Sequence, residues 1–284
     1  MTSSSRSIGL VAGNGIFPLE IVKSAKEQGH KVYLVAHANE TIPDITSIVD
    51  HHIWIKVGQL GKLINFFKKH KVDEVTFAGG IKRARLFREV WPDWKGAKVI
   101  ASLNTRRDDE VLRAIAKELE TEGIKVVSAV NYLEKSIAKV GLITKRALNA
   151  SELIDAKLAW LASKELGKLD IGQASAAFEG TVIALEAIEG TDSLIQRVGS
   201  LVDVNIKKLK GHGPVLVKTC KPEQDLRLDL PTIGPDTITN LNDNGFSALV
   251  IEADKSIILD PENVRLKADS YDMAVEVVTN FNTK

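Results

Sequence analysis

The sequence is poor in cysteine, methionine and aromatic residues, carries almost no net charge and contains no long apolar run. A single cysteine, Cys220, cannot form an internal disulfide, which agrees with a reducing cytoplasm. The six histidines, including the neighbours His51 and His52, lack the paired Cys/His spacing of a structural zinc site. With 38 Lys+Arg against 37 Asp+Glu the net charge is +1, so no global field draws the chain to nucleic acid or to an anionic bilayer. Any anionic ligand is therefore recognised locally. No stretch reaches the ~18 apolar residues that a membrane span needs. The first residues, MTSSSRS, pass into IGLVAG without the apolar core of a signal peptide, so a cytoplasmic location is expected.

What is present is an ordinary globular composition, 44% hydrophobic and 26% charged, over 284 residues, a length that predicts two domains. IGLV (8 to 11) reads as a strand, Ala12-Gly13-Asn14-Gly15 as a turn, and the pattern opened by Pro18 as a helix. KVYLVA (31 to 36), HHIWIKV (51 to 57), VTFAGG (75 to 80), VIASL (99 to 103) and IKVVSA (124 to 129) read as further strands, with helices over LGKLINFFKKH and DDEVLRAIAKELETEG. Strands alternating with helices predict a parallel sheet, so residues 1–135 are expected to form a Rossmann-like α/β domain. The rhythm then changes to a helix near 150 to 167, paired strands near 174 to 188, a helix from 191, and strands near 215, 226, 248 and 257. This predicts a carboxy-terminal α+β domain over residues 136–284.

Several stretches can carry chemistry. In GNG, the second glycine lets the backbone approach a phosphate at the start of the next helix, or simply makes a tight turn. A full dinucleotide fingerprint is missing, because Pro18 stands where a small residue is needed and VAHAN offers no acidic residue for a ribose. FAGG places Gly79 and Gly80 at a strand's carboxyl end, where open sheets bind ligands. It runs into Lys82, Arg83, Arg85 and Arg88 interleaved with Leu86, Phe87, Trp91 and Trp94, a pattern that suits a phosphate beside an apolar tail, a bilayer interface, or a solvated basic helix. Asp108 and Asp109 open a helix and complement its dipole or bind a metal. Glu186 stands among apolar neighbours and needs a cation, a proton or a metal. In KTCKPEQDLRLDLPTIG, strict alternation predicts a strand with Asp225, Arg227 and Asp229 on one face and Leu226, Leu228 and Leu230 on the other. In such a strand Asp225 and Asp229 would lie roughly 13 Å apart, too far to share a metal. Cys220 reads as a buried thiol.

Taken in order, GLVAGNGIFP, FAGGIKR, DDEVLRA, DIGQ, EGTVIALEAIEGTD and KTCKPEQDLRLDLPTIGPDTI cover nearly the whole chain. They resemble the UDP-2,3-diacylglucosamine pyrophosphatases of lipid A biosynthesis, in the Rossmann-domain type rather than the calcineurin-like type. The resemblance implies hydrolysis to UMP and 2,3-diacylglucosamine 1-phosphate by metal-assisted attack of water on the sugar-linked phosphorus. It also implies magnesium dependence, a UDP-binding first domain, a catalytic second domain and a homodimer. The family's essential aspartate in D-L-P-T-I-G maps onto Asp229, with Arg227 and Lys218 as its catalytic companions. Gly13, Asn14, Gly15, Gly79, Gly80, Gln173, Thr191, Lys221 and Thr232 are the candidate substrate contacts. Asp229, Asp225 and Glu186 are the candidate magnesium ligands, with Glu189 and Asp192 behind them. The acyl chains place the substrate in a membrane, so the loop from 82 to 94 is expected to touch the inner leaflet of a Gram-negative bacterium. The competing readings are another nucleotide-sugar enzyme, such as an oxidoreductase, and a non-catalytic nucleotide-binding module.

Overall fold

A computed structural model describes residues 6–81, 90–103, 108–201, 212–222 and 224–281. The chain divides into two compact units, one of Met1–Glu134 with Asp225–Asp229, the other of Lys135–Gln224 with Leu230–Lys284.

The first unit is built on five parallel strands: β1 (Ser7–Ala12), β2 (Lys31–His37), β3 (His51–Ile55), β4 (Glu74–Ala78) and β5 (Lys125–Val126), ordered β3-β2-β1-β4-β5. Successive residues of β1 serve opposite layers. Leu10 packs with Ile21 and Val22 of α1 (Phe17–Glu27), while Val11 packs with Leu63, Ile64 and Phe67 of α2 (Leu60–Lys69). Burial on both faces explains why these strands read as continuous apolar runs. The order reverses between β1 and β4, whose carboxyl ends therefore frame the crevice where open sheets take ligands.

Two expected strands are absent. VIASL lies in or just after helix α3 (Trp94–Ala101), whose first turn is capped by the Asp93 carboxylate accepting from Gly96 N–H at 3.0 Å. A short apolar run does not by itself distinguish strand from helix, and here the cap decides. Helix α4 (Asp108–Thr121) follows, with Asp109 buried in its first turn. DLRLDL is a turn: the Asp225 carbonyl accepts from Leu228 N–H at 2.9 Å and Asp229 N–H at 3.2 Å. The Asp225 carboxylate also accepts from Arg227 N–H at 3.0 Å, and such local bonds compete with a strand ladder. Leu228 joins the core of the first unit, whereas Leu226 is exposed. The extended-strand separation of Asp225 and Asp229 therefore does not apply.

The second unit holds a mixed sheet of β6 (Gly141–Leu142), β7 (Ala174–Phe178), β8 (Thr181–Leu185), β9 (Val215–Lys218), β11 (Ala248–Glu252) and β13 (Ala274–Val278), ordered β6-β13-β11-β9-β7-β8. Its centre, β9, β11 and β13, is parallel, and β6, β7 and β8 join antiparallel. Between them in the chain, β10 (Thr232–Ile233) and β12 (Ile257–Ile258) make a small parallel pair. One sheet face is covered by α5 (Ala150–Lys168) through Ala156, Ala159 and Trp160; the other by α6 (Thr191–Leu201), α7 (Pro235–Asp243) and α8 (Pro261–Ser270) through Leu194, Ile195, Leu241 and Val264. Helix α5 opens on a capping box between Asn149 and Glu152. It is also apolar on its outward side, where Leu153, Ile154 and Leu161 are exposed.

Candidate active site

In the first unit, the two glycine turns close on each other. Gly13 N–H donates to Ala78 O and Asn14 N–H to Gly80 O, each at 2.8 Å. A methyl group on Gly13 would lie 2.3 Å from Gly80 O, and one on Gly79, at φ +75°, would lie 2.2 Å from Asn14 O. These glycines are thus required by backbone packing, and the first two amides of GNG are engaged by protein rather than turned to a phosphate. Gly15 differs: its φ is +81°, and nothing stands within 4 Å of an added methyl group. The helix that follows, α1, has no side-chain cap.

Beside this turn lies a polar cluster that the motifs do not announce. His37, 9% exposed, bonds through Nδ1 to Ala12 O at 2.9 Å, and the same carbonyl accepts from the Thr41 hydroxyl at 2.7 Å. Thr41 Oγ1 in turn accepts from His37 N–H at 2.9 Å. Asn14 Nδ2 donates to the buried Glu40 carboxylate at 3.3 Å. Glu40 is the acidic residue missing from VAHAN: it stands just past the strand, and the chain bends it back to GNG.

The turn 225 to 229 belongs to the same unit. Arg227 meets the Asp225 carboxylate through Nε and NH2, at 3.1 and 2.8 Å, and Glu120 through NH1 at 2.8 Å. The guanidinium beside it holds the Asp225 carboxyl below its usual range, against the opposing effect of burial. Arg227 and Asp225 are accordingly committed to one another, and Asp229 is solvent-exposed.

In the second unit, three sequence motifs meet at one end of β7, β8 and β9. Glu186, 6% exposed, accepts from Gln173 N–H and from the Thr191 hydroxyl, both at 3.0 Å. These partners are neutral donors, and no lysine or arginine pairs with Glu186 among the described residues. Gly172 of DIGQ allows this approach, since a methyl group there would lie 2.3 Å from Glu186 O. Thr219 N–H donates to Gln173 O at 2.8 Å, and Lys221 pairs with Asp170 of DIGQ at 2.7 Å. Gln173 Oε1 is buried without a hydrogen-bond partner among the described residues.

Lys218 completes this cluster. It is 9% exposed, donates to Thr232 O at 3.0 Å, and has no carboxylate within ion-pairing distance among the described residues. An ammonium has three donors, so one carbonyl leaves it short of partners and favours an anion. Glu252 is buried at the end of β11, accepting from Lys164 at 2.5 Å and from Cys220 N–H at 2.9 Å; nothing in the sequence singled it out. Cys220 itself is buried at 3% exposure.

Among the described residues no group of three or more His, Cys, Asp or Glu side chains is arranged to hold a metal ion. Besides Asp225 and Glu186, Glu189 is paired with Arg197 at 2.8 Å and Asp192 accepts from Asn240 at 3.3 Å. The donor set does not make a protein cage. A magnesium ion here would draw most of its ligands from substrate oxygens and water. Lys82, Arg83, Arg85, Leu86, Phe87 and Arg88 lie outside the described residues. Trp91 and Trp94 are 60% and 86% exposed, and Lys56 Nζ stands 4.6 Å from the centre of the Trp91 ring.

Fold and site together define a protein of two α/β units, one with a crevice at a parallel sheet's switch point, the other with a buried lysine that pairs with no carboxylate among the described residues. The chain belongs to the LpxI family, matching the LpxI N-terminal domain over residues 7–136 and the LpxI C-terminal domain over residues 139–276. It is 32% identical over 273 residues to the UDP-2,3-diacylglucosamine pyrophosphatase LpxI of Caulobacter vibrioides, covering 95% of this chain and 96% of that protein. Among solved structures, N5-carboxyaminoimidazole ribonucleotide synthetase of Thermotoga maritima is 13% identical, covering 64% of this chain and 41% of that one with a TM-score of 0.28. A biotin carboxylase of Campylobacter jejuni is 16% identical, covering 69% and 41% with a TM-score of 0.26. Both likenesses are too weak to bear on the site.

Proposed function

We propose that this chain hydrolyses UDP-2,3-diacylglucosamine to UMP and 2,3-diacylglucosamine 1-phosphate. The observation that carries the reading is the 32% identity to the Caulobacter pyrophosphatase, which runs through both units rather than through one motif. In the reaction, the oxygen of water bonds to the sugar-linked phosphorus, the bond from that phosphorus to the bridging oxygen breaks, and UMP leaves with the bridging oxygen. Negative charge gathers on a centre that is already anionic, so preorganised cations are the main requirement. Lys218 meets it with a buried ammonium that pairs with no carboxylate among the described residues. Lys221 is positioned by Asp170, and Gln173 offers a buried acceptor to a substrate donor. Asp229 provides the essential carboxylate, and Arg227, clamped by Asp225 and Glu120, fixes the turn that carries it. Magnesium held by Asp229 and the diphosphate supplies charge neutralisation when bound.

The test is UMP release from UDP-2,3-diacylglucosamine in detergent micelles, with magnesium or with excess EDTA. Release that requires magnesium and falls about 10²-fold or more in Asp229→Ala is the expected result. Release that survives the substitution removes Asp229 from the chemistry, and none from folded wild type removes the reaction.

The reading extends to two surfaces. Among the described residues no helix is long and apolar enough to cross a membrane, yet the substrate carries two acyl chains. Exposed Trp91 and Trp94 beside Lys56 suit contact with the inner leaflet. Replacing both tryptophans by alanine is expected to lower co-sedimentation with anionic vesicles, and unchanged binding would exclude this contact. The outward apolar side of α5 suits a homodimer, so Ile154→Lys with Leu161→Lys is expected to shift the sedimentation coefficient to that of a 31.0 kDa monomer. A wild type that already sediments as a monomer would exclude it.

A further inference from the structure

The acceptor state of His37 follows from its partner. Ala12 O can only accept, so the Nδ1 that faces it at 2.9 Å carries the hydrogen. Burial disfavours the imidazolium and lowers the His37 pKa, against smaller opposing effects from the Ala12 carbonyl and Glu40. A neutral ring with hydrogen on Nδ1 has its lone pair on Nε2, and Nε2 makes no hydrogen bond to any described residue. The Ala12 carbonyl holds the ring at Nδ1, and Thr41, bonding that carbonyl and the His37 N–H, fixes the backbone around it, so the tautomer is built into the fold. The neighbouring Glu40 carboxylate, tied to GNG through Asn14, adds negative charge. The His37 ring therefore offers a hydrogen-bond acceptor at Nε2. It stands where β1 and β2 end, beside the turn that leads into α1, where a nucleotide's sugar lies in sheets of this order.

We propose that His37 Nε2, supported by Glu40, accepts a hydrogen bond from a ribose hydroxyl of a bound ribonucleotide and so favours ribonucleotides over analogues without the 2′- and 3′-hydroxyls. The inference rests on the nucleotide substrate proposed above, and goes beyond it by naming the residue that reads the sugar. It also assigns the two ends of GNG different tasks, with Asn14 holding the acidic neighbour and Gly15 turning the chain into α1.

The experiment measures binding of UMP, 2′-deoxy-UMP, 2′,3′-dideoxy-UMP and AMP to the full chain by calorimetry, for wild type, His37→Asn and His37→Gln. Asparagine keeps an N–H for Ala12 O but lacks the distal acceptor, so the variant retains the structural bond; glutamine places an acceptor near the Nε2 position. Wild type is expected to bind UMP about tenfold or more tighter than the dideoxy analogue, the effect of one hydrogen bond in a shielded site. His37→Asn is expected to erase the difference and His37→Gln to restore part of it. Nitrogen-correlated NMR of the imidazole reads the same event, as a shift of His37 Nε2 on adding UMP and none on adding the dideoxy analogue. Equal binding of UMP and 2′,3′-dideoxy-UMP by wild type overturns the proposal, as does undiminished discrimination in His37→Asn or no binding of any ribonucleotide. Ribose discrimination through His37 with AMP but not UMP upholds the proposal and overturns the uridine substrate. Uridine binding that ignores His37 does the reverse.

Discussion

The glycine turns of the first unit and the polar turns of the second rest on the same close approach and use it in opposite ways. A methyl group on Gly13 would lie 2.3 Å from Gly80 O, and one on Gly172 would lie 2.3 Å from Glu186 O. In the first unit the approach seals two backbone segments through their own N–H and C=O groups. In the second it brings a carboxylate under a backbone amide. A glycine motif thus marks where chains come close; the residues around it decide whether the place binds anything. In the first unit the residues proposed for that role, His37 and Glu40, lie outside the motif; in the second, Gln173 lies inside it and Lys218 in another motif.

Substitutions at the glycines test the comparison most severely. Gly13→Ala and Gly172→Ala are each expected to lower unfolding stability by about 3 kcal/mol, because backbone oxygens must move. Gly15→Ala, which meets no atom and strains only φ, is expected to cost about 1 kcal/mol. Urea midpoints at constant m-value measure all three, and equal losses would mean that conformation rather than contact governs these turns.

A smaller effect separates two of the buried carboxylates of the second unit. Glu252→Gln leaves Lys164 without its counter-charge and is expected to cost about 2 kcal/mol. Glu186→Gln keeps an acceptor for Gln173 N–H and the Thr191 hydroxyl and is expected to cost about 1 kcal/mol. The reverse ranking would place an unrecognised cation at Glu186.

The smallest effect is on pH. The folded His37 pKa lies below the ordinary 6.5, so the unfolded chain takes up this proton first. Stability contributed by the neutral ring is complete above pH 6.5 and is lost as pH falls below it toward the folded pKa. His37→Asn is expected to flatten that acid slope. Part of the slope will remain, because burial and the neighbouring His51 and Lys69 lower the His70 pKa as well.

The parallel sheet and its helices were legible because strands buried on both faces are apolar throughout, and Gly and Pro punctuate them. The motifs around Glu186 were legible as places where charge and glycine coincide. Partners were not, since Glu186 is satisfied by a backbone amide and a hydroxyl that no charge pattern reports. The alternation in DLRLDL misled for a related reason. Asp225 satisfies its own turn, and a strand's period of two cannot be told from a turn in which Asp225 meets the Arg227 N–H and guanidinium. Glu40 escaped notice because it follows β2 by a bend, and only the Asn14 contact places it at the turn.

The return of residues 225 to 229 to the first unit has a consequence for how the protein is made. Arg227 reaches back 107 residues to Glu120, and Leu228 fills part of a core whose other members precede residue 127. At about 5–20 residues per second, a ribosome needs on the order of 5–20 s to add that interval. During it the nascent first unit has its sheet but not its last core side chain, and the turn bearing Asp229 is the piece that arrives late. A nascent chain stalled before residue 225 is therefore left with a solvent-facing gap where Leu228 belongs, a surface for chaperones to hold.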